Sequence, residues 1–126
     1  MKLLLLASAG GAIGAGARYL VNIGVARCVG GGFPWSTLLV NVIGCGLMGV
    51  LYAGFTTRWP EQEAVRVFLA TGILGGFTTF SAYALDFWVL LERKAHLAAA
   101  LYLAGSVGCA VLAFVAGLAL ARAALP

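Results

Sequence analysis

Four stretches of this chain exceed the length of a bilayer crossing while carrying almost no charge. Leu3–Ala26 holds one charged residue, Arg18, and Phe33–Thr57 holds none. Val67–Leu91 holds only Asp86, and Ala95–Ala121 holds none, with His96 near its start. A helix needs about 20 predominantly apolar residues to cross the hydrocarbon core, and each stretch is longer than that. Within lipid the backbone must satisfy its own polar groups, so only helices and closed barrels cross it. Barrel strands alternate in polarity over segments of about ten residues. These stretches do not alternate, which leaves helices. The expectation is an all-α membrane protein of four transmembrane helices, one domain over 1–126 with no soluble appendage.

Composition closes off the other classes. Apolar side chains make up 63% and charged ones 10% of the 126 residues, against roughly 45–50% and about 25% in soluble domains. A core of this size cannot absorb such an excess, and a disordered chain needs the opposite balance. The net charge of +4 comes from basic residues scattered from Lys2 to Arg122. They form no cluster of the kind that grips nucleic acid, so no nucleic-acid partner is expected. The start of the chain imitates a secretory signal, with Ala7-Ser8-Ala9 after Leu3–Leu6. A true apolar region before such a site is about 7–15 residues long, so this stretch reads as the beginning of the first span. Cys45 and Cys109 fall within spans and Cys28 in a loop, with no disulfide or metal-binding spacing.

Four spans put both termini and the 58–66 loop on one side of the membrane. That side carries Lys2, Arg58, Arg66 and Arg122; the other carries Arg27, Arg93 and Lys94, with Arg18 if it snorkels that way. Orientation follows the Lys/Arg bias between loops, and here the two sides nearly balance. Either another feature orients the chain, or it inserts both ways and can pair antiparallel about a two-fold axis in the membrane plane.

Most of the 18 glycines are explained by close packing of helices, which lipid otherwise does little to drive together. The third span is the exception. Thr71-Gly72-Ile73-Leu74-Gly75-Gly76-Phe77-Thr78-Thr79-Phe80-Ser81 places a glycine pair and a β-branched pair at mid-membrane, and both are poor helix formers. The stretch is either a packing surface or a break whose freed carbonyls can hold a cation. Polar side chains within spans are few. Asn41 follows Thr37 by one turn in the second span, and Tyr102 and Ser106 share a face in the fourth. Amide and hydroxyl donors of this kind either bond neighbouring helices or replace water around an anion. Arg18, a charge inside a span, marks a pathway or snorkels to the nearer surface.

Three motifs together carry a resemblance. Gly10-Gly11-Ala12-Ile13-Gly14-Ala15-Gly16-Ala17-Arg18-Tyr19, Thr37-Leu38-Leu39-Val40-Asn41-Val42-Ile43-Gly44 and Gly75-Gly76-Phe77-Thr78-Thr79-Phe80-Ser81 resemble the Fluc, or CrcB, family of fluoride channels. The resemblance covers the whole chain. It implies an antiparallel, dual-topology homodimer in the cell membrane, with a third helix broken at its middle and two fluoride pores. It also implies a structural sodium ion on the dimer axis, held by the backbone carbonyls of Gly75 and Thr78 of each subunit. By the same resemblance Asn41 matches the pore asparagine and Arg18 the first-span arginine. Phe80 matches the first of two pore phenylalanines spaced three apart. The second position is Tyr83 here, a departure. The polar track keeps Ser81 but has Ala82 and Ala84. Tyr102 and Ser106 match in the fourth span, where Ala110 replaces the hydroxyl of some relatives, and Thr37 joins the expected pore set.

The rival reading is a small four-span exporter coupled to protons, which requires a carboxylate embedded in the membrane. Asp86 is the one acidic residue in any span, and it falls toward the loop end of the third. No nucleophile–base pair or metal-ligand set supports an enzyme.

Overall fold

The computed structural model describes residues 1–125; Pro126, the last residue of the expected domain, lies outside the described residues. It has four helices long and apolar enough to cross a membrane. Helix α1 (Lys2–Val29) begins at the residues that imitate a signal and ends where Gly30 turns the chain at φ 73°. Helix α2 (Trp35–Thr57) starts directly after Pro34, whose ring stops any earlier helical hydrogen bond. The third span is composite. It opens as α3 (Glu63–Arg66), widens into a π-helical segment Val67–Leu74 and closes with the single turn α4 (Gly75–Phe77). Thr78 and Thr79 are then extended, at φ −77°, ψ 157° and φ −153°, ψ 123°, before α5 (Phe80–Glu92) resumes. Lys94, at φ 59°, turns the chain into α6 (His96–Ala124).

The break is narrower than the sequence implied. The glycine pair stays helical, and only the two threonines leave the helix. The reason is visible at Gly76, where a Cβ would meet the carbonyl oxygen of Gly11 and lie 2.9 Å from its Cα. Gly76 therefore serves close approach. The π-helical segment, which periodicity did not reveal, belongs to the same contact. Its Gly72 lies so near Gly10 that a Cβ there would be 2.9 Å from Gly10 Cα. Widened turns of this type are concentrated at functional sites.

The helices pack as two pairs of same-direction spans. In one, Gly10 faces Gly72 and Gly14 faces Ile73 and Phe77, so α1 runs beside the first half of the third span. In the other, a Cβ on Gly117 would lie 3.0 Å from the Gly46 carbonyl carbon, and one on Gly49 2.8 Å from Leu118 N, joining α2 to α6. Small residues let backbones touch where lipid offers no hydrophobic drive. That account does not extend to Gly16, Gly105 and Gly108, which face open space within the subunit. The second half of the third span belongs elsewhere. It packs on α6 through Tyr83, Leu90, Ala99 and Tyr102, a buried cluster closed by Phe33 and Phe87.

This packing separates tolerant from intolerant glycines. Gly76→Ala drives a methyl into the α1 backbone and costs about 1–3 kcal/mol, the range for overpacking. Gly24→Ala meets nothing within 4 Å and leaves stability unchanged or raised by about 1 kcal/mol through helix propensity. Thermal unfolding of the two variants in detergent checks the contrast.

Candidate functional site

Asn41 is the residue around which the break is built. Its side-chain Nδ2 donates to the Thr79 carbonyl at 2.9 Å, and the Thr79 N–H donates to its Oδ1 at 2.8 Å. An amide presents one donor and one acceptor edge, so Asn41 takes the place of the helical partner that the Thr79 N–H lacks. It also adds a second donor to a carbonyl that, at the N-cap of α5, already accepts the first bond of that helix. Gly44, one turn further along α2, makes room for this contact: a Cβ there would meet the Thr78 side-chain methyl. The Asn41-x-x-Gly44 spacing thus brings α2 against Thr78 and Thr79 together.

The hydroxyls of the break are also committed. Thr79 caps α5 by accepting the Ala82 N–H at 3.1 Å, the usual work of an N-cap threonine. Its Oγ1 lies 3.3 Å from the Ser81 hydroxyl. Thr78 turns its hydroxyl back onto the Leu74 carbonyl at 2.9 Å. The oxygen that Thr78 offers beyond the helix is therefore its carbonyl.

Beside the break lies a groove of about 640 Å³. Asn41 and Cys45 of α2, Gly75, Thr78 and Thr79 of the third span, Phe80 and Tyr83 of α5, and Ser106 and Ala110 of α6 all line it. Phe80 is 77% exposed at its open edge, whereas Tyr83 is buried at 5%. Their ring centroids are 5.3 Å apart. The Tyr83 hydroxyl leaves the groove and donates to the Leu103 carbonyl of α6 at 2.7 Å. Ser106, 5% exposed, has a buried hydroxyl with no hydrogen-bond partner. One Asn41 N–H remains after its bond to Thr79, so two polar groups on this wall have donor capacity to spare.

Other expected site residues lie behind or beyond the groove. Thr37 is buried and does not line it. Tyr102 is buried against Tyr83, centroids 5.2 Å apart, with its hydroxyl donating to Asp86 Oδ2 at 3.1 Å. Asp86 faces a second, smaller cavity of about 230 Å³ near the loops, with Ser36 and Arg93. Arg18 is half-buried on α1, one turn past the contact of Gly14 with Phe77, where the third span bends away. Ser81 is exposed at the start of α5. Sequence reasoning passed over Thr79 and Asn22. Thr79 could have been found as an N-cap residue preceding the resumed helix. Asn22 is four residues after Arg18 on the same face, and its buried Oδ1 has no partner.

A family model, CrcB-like protein, Camphor Resistance (CrcB), matches residues 5–118. The chain belongs to the CrcB family. Curated CrcB relatives named "Fluoride-specific ion channel FluC" include one from Mesorhizobium japonicum, 50% identical over 119 residues, covering 94% of this chain and 95% of its own. One from Nitrobacter winogradskyi is 46% identical over 119 residues, 94% of each chain. Another from Rhodospirillum centenum is 46% identical over 125 residues, 99% of each. With its four membrane-length helices, this CrcB chain is a multi-pass protein of the bacterial cell membrane.

The Asn41 pairing has a measurable cost of removal. Asn41→Leu leaves the Thr79 N–H unpaired, and an unmet buried group costs about 1–3 kcal/mol. Denaturant titration of the variant in detergent, compared with the parent chain, reads that loss.

Proposed function

We infer that the chain is the subunit of a fluoride-selective channel that lets fluoride leave the cell passively and so lowers its cytoplasmic concentration. The observation that carries this reading is the mid-membrane groove, where spare donors and ring edges are combined and no carboxylate lines the wall. Fluoride is compact and strongly hydrated, so a dry passage must supply donors in place of water. The remaining N–H of Asn41 and the unpartnered hydroxyl of Ser106 do this, and the edges of Phe80 and Tyr83 offer the positive rim of an aromatic ring. The N-terminal end of α5 also faces mid-membrane, and a helix N-terminus favours negative charge. Width and donor geometry select among anions in such passages. A proton-coupled exporter needs its carboxylate in the transport path. Asp86 instead accepts from Tyr102 and faces the separate cavity near the loops.

In a single subunit the groove is open on one side, and Gly75 is exposed beside it. A second copy in the opposite orientation covers that side and makes a homodimer with two such passages. The balanced Lys/Arg tally supports both orientations of one chain. Sodium fits the break. The Thr79 N–H that would close on the Gly75 carbonyl in a helix goes to Asn41, and the Ala82 N–H that would close on the Thr78 carbonyl goes to Thr79. Gly75 and Thr78 of both subunits would hold the ion with these carbonyls, as broken membrane helices do. When bound, it supplies a fixed positive charge that favours anions nearby without a titratable side chain. Arg18 adds positive charge on the α1 side of the bend.

Liposomes containing the purified protein should release fluoride with no proton gradient; release only with a gradient would restore the exporter. Tyr83→Phe should change the rate by less than about tenfold, or 1.4 kcal/mol in barrier, because the lost hydroxyl points at α6. Tyr83→Ile, which removes the ring, should cost more than tenfold. C-terminal tags should report both sides of the membrane, and two or three lysines added to the 93–95 loop should shift them toward one. A tag confined to one side in the parent chain would overturn dual topology.

A further inference from the structure

We propose that Thr79 is the positioning residue of the cation site at the break, with Asn41 as its counterpart on the other carbonyl. The inference rests on the sodium reading above and deepens it. In a continuous helix each carbonyl accepts the N–H four residues on. The Gly75 carbonyl would take the Thr79 N–H, and the Thr78 carbonyl would take the Ala82 N–H. Both donors are diverted by side chains. Asn41 Oδ1 takes the first at 2.8 Å, and Thr79 Oγ1 takes the second at 3.1 Å.

The same bonds withdraw the competing oxygens. The Thr79 carbonyl accepts from Asn41 Nδ2 and the Thr79 hydroxyl from Ala82, while the bond that the Thr78 hydroxyl donates to Leu74 holds it back on the helical side of the break. The choice of Gly75 and Thr78 therefore follows from where the N–H groups have been sent. Thr79 touches no cation. It acts by keeping the Ala82 N–H off the preceding carbonyl, and the N-cap bond is the means. A residue without the hydroxyl gives up the bond that holds this turn extended and frees the Ala82 N–H.

The test is sodium-dependent assembly, read as dimer fraction and unfolding temperature of the purified full chain. Sodium is titrated against N-methylglucamine at constant ionic strength. Thr79→Val should raise the sodium concentration at half effect by about tenfold or more, because without the cap the turn relaxes toward a helix, in which the Thr78 carbonyl points along the axis at the Ala82 N–H and away from the ion. Excess sodium should then recover assembly by mass action. Thr79→Ser keeps the hydroxyl and should stay within about threefold of the parent chain. A parent-like sodium midpoint in Thr79→Val overturns the proposal. So does a tenfold loss in Thr79→Ser, or a Thr79→Val chain that fails to fold even at molar sodium, since the hydroxyl would then hold the fold and not the site. A parent chain indifferent to sodium overturns the sodium reading itself, and with it this proposal.

Discussion

The pair of hydrogen bonds between the Asn41 amide and the Thr79 backbone makes the rest of the site possible. A transmembrane backbone cannot leave its helix unless the released groups find partners at the same depth. Asn41 takes the Thr79 N–H and the Thr79 hydroxyl takes the Ala82 N–H, and Gly44 lets α2 come close enough for the first of these bonds. Once that requirement is met, the third span can end one helix and begin another in mid-membrane. The ends of those helices bring carbonyls and amides to a depth where side chains of either charge would be costly.

The aromatic and hydroxyl groups of the groove depend on this change of direction. Phe80 reaches the open edge because α5 restarts at Thr79 with Phe80 as its first residue. Tyr83 is drawn to α6 by the Leu103 carbonyl, which fixes its ring beside Phe80. Ser106 meets the groove because α6 packs on α2 through Gly46 and Gly117 with no side chain between the backbones. The wall of the groove is thus assembled from three spans by backbone contacts and a small number of polar ones.

Much of this was legible in the sequence. The four spans followed from charge-free length, whereas the residues between Gly75 and Ser81 left a packing surface and a break both open, and the family resemblance pointed to the break. Close packing of Gly10, Gly14 and Gly49 followed from the scarcity of other forces in lipid. The extent of the break did not follow. Gly75 and Gly76 are poor helix formers by propensity, yet tertiary contact with Gly11 keeps that turn helical. The role of Asn41 was also only half visible, because a polar residue in a span reads the same whether it bonds a backbone or a permeating ion. Thr37 and Tyr102 share faces with groove residues by spacing, but neither lines the groove; Tyr102 instead packs on the Tyr83 ring with its hydroxyl on Asp86. Thr79 was hidden by the helical reading of its neighbours, since an N-cap is recognised only once the helix is known to restart.

The pairing of same-direction helices assigns the two halves of the third span to different bodies. Its first half is joined backbone to backbone to α1, and its second half is packed on α6. Thr78 and Thr79 bridge these bodies in extended form, so a relative displacement of the two has to pass through them and through the Asn41 clamp beside them. The two threonines that carry the cap and meet the Asn41 clamp are therefore also the joint between the helix pairs. Loss of the Asn41 clamp at that joint would loosen the alignment of one helix pair with the other.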